Sequence, residues 1–467
     1  GMPSYDDFQA KLDFKSNVYN TFSFLTIIGG SLYQRDKKGA KEVGEDRYGE
    51  LKNNQTTIGF NYKRIWNKKS YSNTSFSYSQ QSSTANFLNN ISDSTVFKNI
   101  EKTKVKNVRQ INHLKLNQNL NLEFGFDFQN TSIGYNYFRK LPESNIFLKE
   151  IAFYEDVLIN NYAAFITIKN NISKRLILSA GLRLDQNDYE KINLYSPRLN
   201  IDYEVFRGKT NLILNIGKYH QNPPGIYVAN DISKVLKSVK AFQYSLNLEQ
   251  MITPSTKLTI SGYQKNYEDS PILPNSNLFQ DPTFLFDELR MYNGIVSNGT
   301  ALAEGVEVLV QKKRAENFYG LIGGSIFNST FTDYDGIKRS RNHNYGYIFN
   351  IVGGYRPKDN WELSIRWSYF GGKPYTPINL ESSIRGDEQI LYLDQFNQEK
   401  TPAYHSLFVR YEKRYNLKKS NLIVFFEIWN TYNRENIETY FYSRGNQQIE
   451  KIVYFSTIPV GGFGLEF

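Results

Sequence analysis

Residues 121–129 read Asn-Leu-Glu-Phe-Gly-Phe-Asp-Phe-Gln. Leu122, Phe124, Phe126 and Phe128 alternate with Glu123, Gly125, Asp127 and Gln129. A period of two describes a strand with two unlike faces. One face here is apolar; the other offers carboxylate, amide or no side chain. Residues 175–185 repeat the pattern, with Leu176, Leu178, Ala180, Leu182 and Leu184 on one side. Arg175, Ser179, Gly181, Arg183 and Asp185 occupy the other. Such segments recur about nineteen times and helical periodicity is nowhere sustained, so the chain reads as all-β.

The flanking segments supply partners for these two strands. Val108 to Leu116 turns at Gln118-Asn119 into the Leu122 strand, and Tyr162 to Lys169 turns at Asn170-Asn171 into the Leu176 strand. Toward the N-terminus, Phe8 to Phe14 pairs with Thr21 to Ile28 through Ser16-Asn17. Thr56 to Tyr62 pairs with Asn73 to Ser79 through Asn67-Lys68-Lys69. Polar stretches from about Gly30 to Asn53, and from Ser79 to about Lys104, read as long loops. Toward the C-terminus the same rhythm runs through turns at Arg207-Gly208, Pro254-Ser255, Ala315 to Asn317, Pro357 to Asn360 and Asn416 to Ser420. Val453 to Phe467 reads as the last strand.

The connections alternate between short and long. Short turns on one rim and long loops on the other is the layout of a transmembrane β-barrel, whose strands of roughly ten residues span an apolar band of about 25 Å. A soluble sandwich or propeller has no reason to segregate its loops by length. No linker interrupts the series, so residues 1–467 read as one domain. The first turn is short and the last strand follows a long loop, which makes the strand count odd. Bacterial single-chain barrels have even counts. The expectation is therefore a barrel portion that lacks an odd number of N-terminal strands.

Composition agrees and excludes other classes. Among 467 residues the hydrophobic share is 40% and the aromatic share 15%, with 35 Tyr and 33 Phe. The mean hydropathy is −0.53, and no apolar run approaches the 18 or so residues of a membrane helix. Barrels escape that detector because half of each strand faces a polar interior. Cysteine is absent, which removes disulfides and thiolate metal sites. The formal charge is +10, but Lys and Arg are interspersed with Asp and Glu, and no basic stripe with stacking aromatics suggests nucleic acid.

Several segments resemble the barrel of TonB-dependent outer-membrane receptors, in the form common in Bacteroidetes. They are PSYDDFQAKLDFK followed by TFSFL, YAAFITIKNNISKRLILSAGLRLD followed by YSPRLNIDY, and IGKYHQNPP. WELSIRWSYFGGKPYTP resembles that family's Gly-Arg-Pro-Tyr-Thr-Pro element, with Lys373 where Arg is usual. The C-terminal PAYHSLFVRYEKR, IWNTYNREN and IPVGGFGLEF resemble it most closely. The resemblance implies a barrel of about 22 strands enclosing a plug. This chain would start near the fourth strand, without the plug and TonB box, and would not transport alone. It also implies partners: outer-membrane lipid, the TonB complex through the plug, a small solute, and a surface lipoprotein. The terminal Phe467 is similar to the aromatic end that barrel-assembly machinery is thought to read.

No residue set reads as a catalytic or metal site. His113, His220, His343 and His405 have no second ligand at metal spacing. Asp333-Tyr334-Asp335-Gly336 starts like a calcium loop but lacks the Glu of its twelfth position, so it reads as a turn. Gly371-Gly372 reads as a strand end and loop entry. No phosphate loop, nucleophile elbow or triad is present, so neither enzyme nor cofactor is expected. In such receptors solute contacts come from loop bases, which singles out Tyr219, His220, Gln221, Asn222 and Tyr375. Tyr369, Trp429 and Tyr432 stand at comparable heights, where aromatic residues also form lipid-interface belts. The expected function is uptake of a scarce solute, an iron chelate, vitamin, glycan or peptide, across the outer membrane. A passive porin and a soluble β-rich adhesin or carbohydrate-binding protein are the alternatives.

Overall fold

The computed structural model describes residues 4–42, 47–140, 150–230, 236–272, 295–386 and 389–466. Twenty of its strands form one antiparallel sheet. The first fourteen are β1 (Ser4–Asn17), β2 (Asn20–Arg35), β3 (Arg47–Asn67), β4 (Ser70–Asn89), β5 (Thr95–Lys115), β6 (Leu120–Lys140), β7 (Glu150–Asn171), β8 (Leu176–Asn187), β9 (Leu194–Phe206), β10 (Thr210–Gln221), β11 (Val239–Thr253), β12 (Thr256–Ile272), β13 (Val296–Ala315) and β14 (Phe318–Thr332). β15 (Tyr347–Lys358), β16 (Trp361–Phe370), β17 (Tyr404–Asn416), β18 (Asn421–Trp429) and β19 (Ile458–Glu466) complete the series. Each of these nineteen pairs with its sequence neighbours, and the twentieth, Lys338–Ser340, folds back on β14. Among the described residues the outer edges of β1 and β19 pair with nothing.

The short turns hold two to four residues and all fall between odd and even strands. Asparagine shapes several of them. The Asn17 side chain accepts from the Tyr19 and Asn20 amides at 2.9 and 3.0 Å, and Asn117 does the same for Asn119 and Leu120. Such a side chain mimics a backbone turn and ends a strand within two residues. The other connections carry the loops, with α1 (Lys37–Glu42), α2 (Gly225–Asn230) and α3 (Leu380–Gly386) inside them.

Register turns the sequence alternation into two continuous surfaces. Phe24, Phe60, Phe76, Val108, Phe128 and Tyr162 stand opposite one another across β2 to β7. Among the described residues nothing covers this greasy row: Phe24 is 50% exposed and Phe76 47%. Apolar rings left open along a whole sheet face require an apolar solvent. The opposite face carries Ser75, Arg109, Asp127, Ala163 and Asp185 in successive facing positions. Asn107 donates to Asp127 at 2.7 Å, and Arg183 donates to Asp185 at 2.8 Å.

Three boundaries differ from the sequence expectation. The polar stretches at 30–53 and 79–104 are largely strand, since β2 to β5 run to 16, 21, 20 and 21 residues. Backbone pairing continues above the apolar band because a ladder needs no greasy side chains. Strand ends also shift: the first turn is Val18-Tyr19, and β7 continues through Asn171. The last strand begins at Ile458, because Gln448–Val453 pairs with Ile437–Ser443 as a loop hairpin. Phe467 lies outside the described residues.

Above the band the polarity of the faces inverts. On β6 the outer positions become Asn130, Ser132, Gly134 and Asn136, while the inner ones become Ile133, Tyr135 and Tyr137. Tyr135, Val157 and Ile159 form a small buried cluster with Ile133 and Phe153. α2 covers it with Ile226, Val228 and Ala229. α2, in the connection between β10 and β11, thus lies over the inner wall.

Candidate functional site

The Tyr219–Asn222 run closes β10 where that strand leaves the apolar band. Alternation splits it. Tyr219 and Gln221 share the inner face with Asn215, whereas His220 falls on the face of Leu212 and Ile216. The Tyr219 ring packs against Gly217, where an added Cβ would stand 2.8 Å from it. A side chain at 217 would push the ring aside. The Arg198 guanidinium sits 4.5 Å from the centre of the Tyr219 ring. The pair presents an aromatic face and a fixed cation at the mouth, a combination suited to a flat or anionic solute.

His220 is engaged locally, with Nδ1 2.9 Å from the buried Ser196 hydroxyl. Asn222 is a structural knot. It donates to Asn161 of β7, and its carbonyl accepts from Asn187 at 3.2 Å and from Ser238 at 3.3 Å. The single Ser238 hydroxyl proton is shared with Glu190, the nearer acceptor at 2.6 Å. These bonds hold both ends of the β10–β11 loop to the middle of β7 and the top of β8, where Asn161 and Asn187 face each other. Sequence reading missed this knot because its members are 16 to 61 residues apart. Ile226, Tyr227 and Val228 were a visible clue: apolar residues beside Pro223-Pro224 need cover if the loop is in water.

Tyr375 lies apart from this group. It belongs to a two-residue strand, Pro374–Tyr375, paired with Glu399–Lys400. Its ring is 5.0 Å from that of Tyr440 in the loop hairpin, and burial pushes its hydroxyl above the ordinary tyrosine range. Tyr369 shares the outer face with Phe349 and Trp367, whose rings lie 6.4 and 5.8 Å away, as an interface belt would. Trp429 points the other way and packs on Phe408 and Phe455.

The remaining candidates behave as local structure. His113 stacks on Tyr71 and faces Glu123 at 3.2 Å; His405 bonds Tyr432 at 2.7 Å. Among the described residues no three His, Asp or Glu groups converge on one point. Asp333 to Gly336 is a turn: Gly336 adopts φ +78°, and Asp333 accepts from the Ile337 amide at 2.8 Å and from Arg339 at 2.6 Å.

Comparison with known proteins places this architecture. Residues 3–428 match the family described as TonB dependent receptor-like, beta-barrel. No curated protein matches the chain. The ferric-catecholate import receptor Fiu of E. coli K12 superposes with a TM-score of 0.70 at 11% identity, covering 99% of this chain and 74% of that one. The ferripyoverdine receptor of Pseudomonas aeruginosa gives 0.73 at 10% identity, covering 99% and 64%. BauA, the ferric preacinetobactin receptor of Acinetobacter baumannii, gives 0.69 at 10% identity, covering 100% and 72%. At these identities the likeness is one of fold: the strands wrap as a receptor barrel, with the greasy face outward and the wet face lining a lumen. With its family match spanning 426 of 467 residues, the chain belongs to the TonB-dependent receptor-like β-barrel family and is a barrel of the outer membrane.

Proposed function

We propose that this chain is the barrel of a receptor that captures a scarce solute at its outer mouth and passes it inward with energy delivered through TonB. The observation that carries the reading is the family match over residues 3–428. The folded mouth supports it: a wide passive channel gains nothing from a loop pinned over its inner wall by Asn222 and α2. The plug and TonB box belong, on this reading, to the same receptor N-terminal to the barrel. Of the solute classes considered, an iron chelate is the one carried by the similar structures named above. Tyr219 with Arg198, Gln221 beside them, and Tyr375 higher in the loops are the proposed contacts. His220 and Asn222 act in this proposal by holding Ser196, Asn161 and Asn187 in place.

The test uses the full-length receptor in its own outer membrane. Uptake of labelled ferric chelates is measured with and without TonB. Uptake is expected to stop without TonB, and Tyr219→Ala to weaken binding by about tenfold, the loss typical of a central aromatic contact. Uptake that continues undiminished without TonB would make the protein a passive channel.

A further inference from the structure

We infer that the outer face of β4 to β7, just above the greasy band, seats a phosphorylated glycolipid of the outer leaflet. On β5 the alternation puts Lys102, Lys104 and Lys106 on the face of Val108, and all three are exposed. Val108 belongs to the greasy row, so Lys106 stands one step above the acyl chains. Lys102 lies about 14 Å farther along the strand at roughly 3.4 Å per residue. The positions flanking Lys106 are Tyr78 and Asn130, and those flanking Lys104 are Gln80 and Ser132. No carboxylate stands among them. Beside Lys102, the Asp156 carboxylate leans over Gly134, 2.8 Å from where a Cβ would be.

Three like charges about 7 Å apart at the margin of a low-dielectric slab repel one another. An anion at the same height removes that repulsion and is itself less screened there than in bulk water. Higher on the same face, a recess of about 550 Å³ is lined by Lys98, Asn136, Phe138, Ala152 and Tyr154 among others. The Tyr154 ring is 71% exposed. An open aromatic face beside an amide and an ammonium suits a sugar ring, which offers C–H groups on one side and hydroxyls around its edge. Read upward from the membrane, the surface is apolar, then cationic, then aromatic and polar. Acyl chain, phosphate and saccharide follow the same order in a glycolipid. That order favours the lipid over a free anion. It depends on which face meets lipid and not on what the lumen carries.

The test compares the full-length receptor, extracted from the outer membrane, with two variants. One is Lys102→Gln/Lys104→Gln/Lys106→Gln and the other replaces the same lysines by Arg. Phosphorylated glycolipid retained per barrel is counted by native mass spectrometry, and heat-dependent gel migration reports folding. The Gln variant is expected to retain about tenfold less, since each surface cation contributes to anionic-lipid attraction. The Arg variant is expected to retain as much as the parent. In the unaltered receptor, raising salt is expected to strip the glycolipid, an arm that reads out whether or not the Gln variant folds. Equal retention by a folded Gln variant, or retention indifferent to salt, would overturn the inference. Displacement by inorganic phosphate at matched concentration would reassign the row to a free anion.

Discussion

Phe126 and Asp127 are adjacent in sequence and meet different solvents. Phe126 faces Ala164 and Gln110 on the outer surface, where it is 48% exposed. Asp127 faces Arg109 on the inner wall, accepts from Asn107 at 2.7 Å and lies 4.0 Å from Arg183. Arginine on the lipid face near the midplane costs about 2–4 kcal/mol, so Phe126→Arg is expected to block stable insertion. Asp127→Asn keeps an acceptor in a wet lumen and is expected to insert normally. Urea titration in lipid vesicles would check the pair; equal midpoints would contradict the face assignment. The alternation alone identified which residue goes where, because strand geometry permits no other arrangement. The fate of Tyr219–Asn222 was less legible. The same alternation assigns Tyr219 inward and His220 outward, yet the bonds that occupy Asn222 come from β7, β8 and Ser238 just ahead of β11, which no local pattern announces.

At the scale of elements, strands outlast the membrane. Each of β3 to β7 is 20 to 22 residues long, about twice what an apolar band requires. Polar sequence suggests loop there because polarity reports solvent, whereas pairing depends on a neighbouring strand being in register. The loop after β16 shows the opposite case, where sequence was sufficient. Gly371 and Gly372 end the strand because the chain there presses against other backbone. A Cβ on Gly371 would stand 1.9 Å from the Tyr345 carbonyl oxygen, and one on Gly372 would stand 1.8 Å from that of Thr401. Backbone cannot yield as a side-chain tip can. Gly372→Ala is therefore expected to break the Lys373–Thr401 contacts, at 3.0 Å, and to make residues 373–401 sensitive to added protease. Gly464→Ala, with nothing within 4 Å of the new methyl, is the control and is expected to change nothing. Equal protease resistance in both would show that the close approach carries no stability.

At the scale of the whole molecule, nineteen strands in sequence order leave every short turn on one rim and every loop on the other. That segregation gives a topological prediction. A protease site placed in the Lys68-Lys69 turn is expected to resist cleavage in intact cells, and one placed at Asn446, in the tip of the loop hairpin, to be cut. Cleavage of both, or of the turn alone, would reverse the orientation. The strand order itself is the least demanding of topologies, since each strand pairs with the one just made.

Period-two alternation and the rhythm of short and long connections determined the all-β class, the two faces and the membrane as solvent. These follow from local geometry, because a side chain's face is set by its place in its own strand. The tertiary structure alone decided how far the strands climb above lipid, where the polarity of the faces inverts, and that a loop returns to cover the inner wall. It also brought Asn161, Asn187, Asn222 and Ser238 to one knot, and set Lys104 and Lys106 between neutral neighbours. Those outcomes depend on which strands become neighbours and at what register, and a cross-strand contact leaves no period in the chain that makes it.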